Sequence, residues 1–230
     1  MLKKFFSADI TYKKMTEDYT KRDSFLAVGL YLFVILSYLG MGILQNLRGI
    51  YLGIPVNLFL VFVCIMMVLV RKQPLASIGL SVKNLKKSFL LGLGTGVFVL
   101  LIFVVPGIFE GGKLIGFESL VKSIFYYFFV IGLPEEILFR GYIQTRLYGV
   151  IKSDVLAVIA GGVMFMSMHI PYQIYVRGGS FIDFIVNNCI WLLITFVWHF
   201  MFNFLYRKYN ALAASTIFHT LINLSNDLLR

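Results

Sequence analysis

Eleven acidic residues are spread along this 230-residue chain, and only Glu135 and Glu136 lie deep inside an apolar run, Pro134-Glu-Glu-Ile-Leu-Phe-Arg-Gly141. A carboxylate at the centre of a lipid-embedded helix costs roughly 3 kcal/mol. Two side by side persist only where something nearby needs acid. On a helix, residues four apart share a face, while neighbours diverge by about 100°. Glu136 and Arg140 are therefore expected to stack as a bidentate ion pair that keeps Glu136 ionised and structural. Glu135 points elsewhere and is the candidate general base. Burial beside a negative charge favours its protonated form, and a helix restarted after Pro134 would favour the carboxylate. The two effects oppose each other.

The three histidines, His169, His199 and His219, all fall within apolar segments. Phe165 and His169 are four apart and share a face. So do His219 and Asn223, two donors suited to holding a developing oxyanion. The connection between the segments carrying Glu135 and His169 centres near residue 152, about 17 residues from each. An antiparallel hairpin with that register brings Glu135 and His169 to one depth. His199 and Asn203 repeat the His-x-x-x-Asn spacing, and they read as packing because nothing ties them to the glutamates.

The elements that must position these side chains are membrane helices. The composition is 59% hydrophobic and 14% charged, against about a quarter charged for soluble domains. Runs of 18 or more apolar residues recur, each long enough to cross about 30 Å of hydrocarbon. The expected class is an all-α, polytopic transmembrane bundle of about seven spans, near 25–44, 51–70, 89–109, 119–147, 154–170, 181–206 and 210–229. Strands of a membrane barrel would be shorter and would alternate. The expected organisation is a basic cytoplasmic tail over 1–24, N-terminal spans over 25–118 and a catalytic helical core over 119–230. The first apolar run lacks a small-residue cleavage site and reads as a retained helix.

The net charge of +10 does not point to nucleic acid, because the basic residues lie between the apolar runs. With the N-terminus inside, 15 Lys and Arg fall in inner segments and 5 (Arg48, Lys113, Lys122, Arg177 and Arg230) in outer ones. That bias places the N-terminus in the cytoplasm and, after seven spans, the C-terminus outside. The basic loops, with Arg71, Arg146 and Arg207 among them, read as solvated orientation signals. Cys64 and Cys189 stand alone in apolar segments and read as packing residues. Gly92, Gly94 and Gly96 and the cluster Phe125 to Phe129 read as helix contacts.

Taken in order, Glu-Glu-x-x-x-Arg (Glu135 to Arg140), Phe-x-x-x-His (Phe165 to His169) and His-x-x-x-Asn (His219 to Asn223) resemble the CPBP family of intramembrane proteases. That family is named for CAAX proteases and bacteriocin-processing proteins and is also called Abi. The approach to the last helix, Leu205 to Ala214, also looks like the family's basic turn. The resemblance covers about 120–226. It implies that Glu135 with His169 activates a water for attack on a peptide carbonyl. His219 and Asn223 would stabilise the oxyanion, and Glu136 and Arg140 would hold the site. Members were long labelled metalloproteases, and two histidines with two glutamates could ligate zinc. Against zinc, no His-Glu-x-x-His pair is present and Arg140 would sit beside the cation. The expectation is a protease with no metal and no other cofactor.

The implied partners are the lipid bilayer and a peptide or membrane-protein substrate, with no nucleic acid. The implied location is the cell membrane of a bacterium. Two other readings compete. One is a non-catalytic bacteriocin self-immunity or regulatory membrane protein of the same fold. The other is a proton-coupled transporter, which would call for paired repeats or twin broken helices, where this chain offers one break near Pro134 and no repeat.

Overall fold

The computed structural model describes residues 7–178 and 180–229; Lys3, Lys4 and Arg230, counted above in the charge bias, lie outside them. The described residues form eight helices and no strand. They are α1 (Ile10–Glu17), α2 (Lys21–Arg48), α3 (Gly53–Val70), α4 (Leu85–Phe109), α5 (Phe117–Gly149), α6 (Asp154–Arg177), α7 (Phe181–Tyr209) and α8 (Leu212–Asp227). The helices α2 to α7 are long and apolar enough to cross a membrane. Their outer faces carry large apolar side chains such as Phe25, Leu36, Phe62, Phe98, Val186 and Leu193, all more than half exposed. In water such a surface would be untenable; in lipid it is the ordinary outside of the protein.

The ends of these helices are written locally. A capping box starts α2, in which the Thr20 amide and hydroxyl both donate to Asp23 Oδ2, at 3.0 and 2.7 Å. A second box of Ser180 and Asp183 starts α7. Gly49 and Asn210, both left-handed, stop α2 and α7. The helix α6 runs on through Pro171 to Arg177, seven residues past its expected end. The segment expected to be a bare tail contains α1, whose Tyr12 is buried edge-on against Tyr148 and Tyr206, at 6.4 and 6.0 Å.

The eighth helix is the centre of the molecule. At 16 residues it is about 24 Å long, shorter than any of the six spanning helices, and it is walled by protein: α4, α5 and α7 all pack on it. Two glycines allow the closest approach. A Cβ at Gly92 would lie 2.5 Å from the Ala214 carbonyl oxygen, and one at Gly96 would lie 2.6 Å from Leu221 Cδ1. Gly94, two residues round the helix, has nothing within 4 Å. The expected glycine contact thus holds for Gly92 and Gly96 and not for Gly94, because only residues four apart share the face.

Helix α5 does not break at Pro134. It widens instead, with π-helical stretches over Tyr126–Gly132 and Ile137–Gln144 on either side of a single α-turn, Leu133–Glu136. Proline removes its own N–H and pushes away the carbonyl four residues back, which here is Val130. A π-turn tolerates both losses without ending the helix. The freed Val130 carbonyl accepts from Asn57 Nδ2 at 2.9 Å, and Asn57 Oδ1 accepts from the Tyr38 hydroxyl at 2.9 Å. The glutamates therefore sit inside a continuous helix and not at a fresh positive end, which corrects the expected restart.

A candidate hydrolytic site in a buried cavity

Glu135 and Glu136 fall in the α-turn of α5, between its two wide stretches, and both are buried. The divergence expected from helical phase is present. Glu136 Oε1 lies 3.2 Å from Arg140 Nη1 and 3.0 Å from His219 Nδ1 of α8. Glu135 Oε2 faces two other imidazole nitrogens, His169 Nε2 at 4.0 Å and His219 Nε2 at 3.8 Å. The hairpin register between α5 and α6 thus brings Glu135 and His169 together, and α8 inserts His219 between the two carboxylates.

The bidentate Glu136–Arg140 pair does not form. One nitrogen approaches at 3.2 Å, without hydrogen-bond geometry. The guanidinium instead lies between two rings, 3.9 Å from the centre of Phe165 and 4.6 Å from that of Phe202. In a helix wound wider than α, a residue and the fourth after it no longer stack squarely, so the flat cation is held by ring faces as much as by the carboxylate.

Phe165 is the hub of the site. Its ring touches His169, His199 and His219 as well as Arg140. Phe202 stacks on His219, with centres 4.5 Å apart and planes 22° apart. Nothing in the spacing of α7 singles out Phe202. Its only signal is its position three residues after His199, on a helix otherwise read as packing.

Hydrogen bonding orients the imidazoles of His169 and His219. His169 Nδ1 lies 2.9 Å from the Phe165 carbonyl, which can only accept, so that nitrogen carries a proton and the neutral ring turns a lone pair at Nε2 toward Glu135. His219 Nδ1 donates to Glu136 in the same way. Its Nε2 can then donate to an anion only when the ring carries both protons, and Glu136 supplies the matching negative charge.

These groups open on one cavity of about 630 Å³. Glu135, His169, His219 and Asn223 all line it, with Trp191 and Trp198 among the apolar walls. His199 and Asn203 do not line it. The volume suits a few side chains of an extended peptide. Among the described residues, no three His, Cys, Asp or Glu side chains are grouped as a metal ligand set.

Arg146, expected in a solvated loop, is fully buried at the end of α5. It donates to the Gly141 and Tyr142 carbonyls at 3.1 and 3.4 Å and to Gln73 and Ser77 beyond them. The Thr145 hydroxyl donates to the same two carbonyls, at 2.8 and 3.0 Å. Arg71 is also paired, with Asp23 at 3.1 Å, and Arg207 with Asp154 at 3.0 Å. The three are structural as well as orienting.

Residues 117–225 match the family model for type II CAAX prenyl endopeptidases of the Rce1-like kind. The match starts at the first residue of α5 and ends within α8, so it takes in every residue of the cavity chemistry. No curated protein and no solved structure matches the chain.

Proposed function

We propose, from the match of residues 117–225 to the family model for type II CAAX prenyl endopeptidases of the Rce1-like kind, that this chain is an intramembrane endopeptidase of the glutamate type. It would hydrolyse a peptide bond in a peptide or membrane-associated protein. The observation that carries this reading is the convergence of Glu135 Oε2 on His169 Nε2 and His219 Nε2, at 4.0 and 3.8 Å. Those separations are too long for direct hydrogen bonds and leave room for an oxygen atom to bridge Glu135 to an imidazole.

In this mechanism a water held between Glu135 and His169 loses its proton to Glu135 as it attacks the carbonyl carbon. The carbonyl oxygen, now negative, is met by Asn223 and by doubly protonated His219, whose charge Glu136 balances. Glu135 then passes the proton to the leaving amine. Arg140 touches no reacting atom. It holds Glu136, and through it His219, in place.

The proposed mechanism uses no metal: the buried guanidinium of Arg140 adjoins Glu136 and would repel a cation there. Prolonged dialysis against a chelator should leave cleavage unchanged; loss of activity restored by zinc alone would overturn this point.

The decisive experiment compares the proteins of membranes carrying the wild-type chain with those carrying Glu135→Gln. A cut that vanishes in the variant names the substrate, and the purified chain should then make it. Glu135→Gln and His169→Ala should each lower that cleavage by about 10²-fold or more, the usual worth of a positioned acid–base group. Full activity in either would sink the assignment. A biological phenotype fully rescued by Glu135→Gln would instead support a non-catalytic immunity or regulatory protein.

A further inference from the structure

Behind the glutamates, away from the cavity, lies a second set of polar side chains that the proposed chemistry leaves unused. His199, Gln144 and Asn203 are at most 2% exposed. Both ring nitrogens of His199, Gln144 Oε1, Asn203 Oδ1 and Arg140 Nε complete no hydrogen bond among the described residues. Such groups adjoin one another only where room is made for them. A Cβ at Gly161 would lie 1.7 Å from Gln144 Oε1 and 3.3 Å from His199 Cε1, and one at Gly162 would lie 3.3 Å from His199 Cδ2. The two glycines of α6 thus leave a notch that the amide and the imidazole share.

The set has two ends. At one, His199 lies 6.0 Å, centre to centre, from the Phe165 ring that carries Arg140. At the other, the Val158 carbonyl lies close to His199. Val158 and Asn203 both line a separate pocket of about 230 Å³, which also holds the Asp154–Arg207 pair. Asn203 follows His199 by one turn, on the same face of α7. Buried groups of this kind are matched by ordered water where several converge, and the surrounding lipid cannot supply the missing partners.

We propose that Asn203, His199, Gln144 and the guanidinium of Arg140 line a hydrated track from the Asp154–Arg207 pocket to the back of the glutamate site, and that the water for hydrolysis enters by it. The second half of the proposal rests on the endopeptidase reading; the first half does not. Each cut consumes one water, whose hydroxyl goes to the carbonyl carbon and whose proton goes to the amine, with no other co-reactant. A peptide filling the 630 Å³ cavity would close the front entrance, so the replacement water needs another way in.

The track is tested by generating hydroxyl radicals with X-rays in the full chain in nanodiscs and mapping oxidation by mass spectrometry. Radicals form from bound water, so His199 should be oxidised several-fold more than Cys64 and Phe218, which are equally buried and chemically reactive. Oxidation of His199 no greater than theirs would overturn the proposal, and this measurement needs no variant to fold. In Asn203→Leu, oxidation of His199 should fall while that of Trp191, on the cavity wall, stays the same. On a verified substrate this variant should lose kcat several-fold with KM unchanged. Lost oxidation with unchanged kcat would overturn the entry of water by this route. A chain that is oxidised at His199 and cleaves nothing would support the track and defeat the endopeptidase reading.

Discussion

Glu135 and Glu136 are chemically identical neighbours with opposite surroundings, and substitution should separate them. Glu136 touches a buried guanidinium and a buried imidazole, at 3.2 and 3.0 Å. Glutamine in its place removes the charge that the Arg140 guanidinium faces. A buried charge stripped of its partner costs about 3–5 kcal/mol, so Glu136→Gln should lower the thermal midpoint in detergent clearly, as well as reduce activity. Glu135 Oε2 lies 3.8 and 4.0 Å from imidazole nitrogens and, among the described residues, has no guanidinium within 4 Å. Glu135→Gln should therefore fold as the wild type does while losing cleavage. Equal loss of stability in the two variants would contradict the division of roles. The divergence of the two side chains was legible in the sequence, because neighbours on a helix point about 100° apart. The detail of Arg140 was not: its place between Phe165 and Phe202 is set by the ring of a different helix, α7, which carries no spacing pattern that points to the site.

At the scale of the element, α5 shows how a proline can widen a spanning helix without ending it. The cost of the missing ladder bond falls on Val130, and α3 meets it with Asn57, which Tyr38 of α2 holds in turn. Replacing Asn57 by Leu would leave a carbonyl and a hydroxyl buried without partners. At about 1–3 kcal/mol for an orphaned buried group, Asn57→Leu should lower the unfolding midpoint. In a Pro134→Ala background, where Val130 can regain a partner within its own helix, Asn57→Leu should cost measurably less. Additive effects in thermal unfolding would show that the two residues are not coupled in this way. The sequence announced a disturbance at Pro134 and placed the glutamates one and two residues after it. It could not show that the disturbance would be absorbed by π-turns, because the asparagine that meets the freed carbonyl lies 73 residues before Val130. The same gap explains Arg146: a basic residue just past an apolar run looks like a loop charge until its distant partners, Gln73 and Ser77, are known.

For the whole molecule, the six long helices and their apolar outer faces were foreshadowed by run length and composition alone, since lipid asks for little more than 20 apolar residues per crossing. The inner arrangement was not, because α8 owes its central place to close contact at Gly92 and Gly96 and not to any hydrophobic stripe. The arrangement has a direction. The proposed cavity is lined from the C-terminal ends of α4 and α8 and the first half of α5, through Phe103, Tyr126, Ser225 and Asn226. The pocket at Asp154 and Arg207 lies at the start of α6 and the end of α7, which is the opposite side of the bundle in every one of these antiparallel helices. If the basic bias sets the orientation with the N-terminus in the cytoplasm, substrate reaches the cavity from the outer half of the membrane, and the second pocket faces the cytoplasm. Single cysteines at Asn226 and Lys152, in a chain with Cys64 and Cys189 replaced, decide between the two orientations. In intact cells an impermeant maleimide should modify the cysteine at 226 and spare the one at 152 until the membrane is broken. The reverse pattern would turn the molecule over, placing the mouth of the cavity in the cytoplasm and requiring a cytoplasmic substrate, while leaving the geometry of Glu135, His169 and His219 untouched.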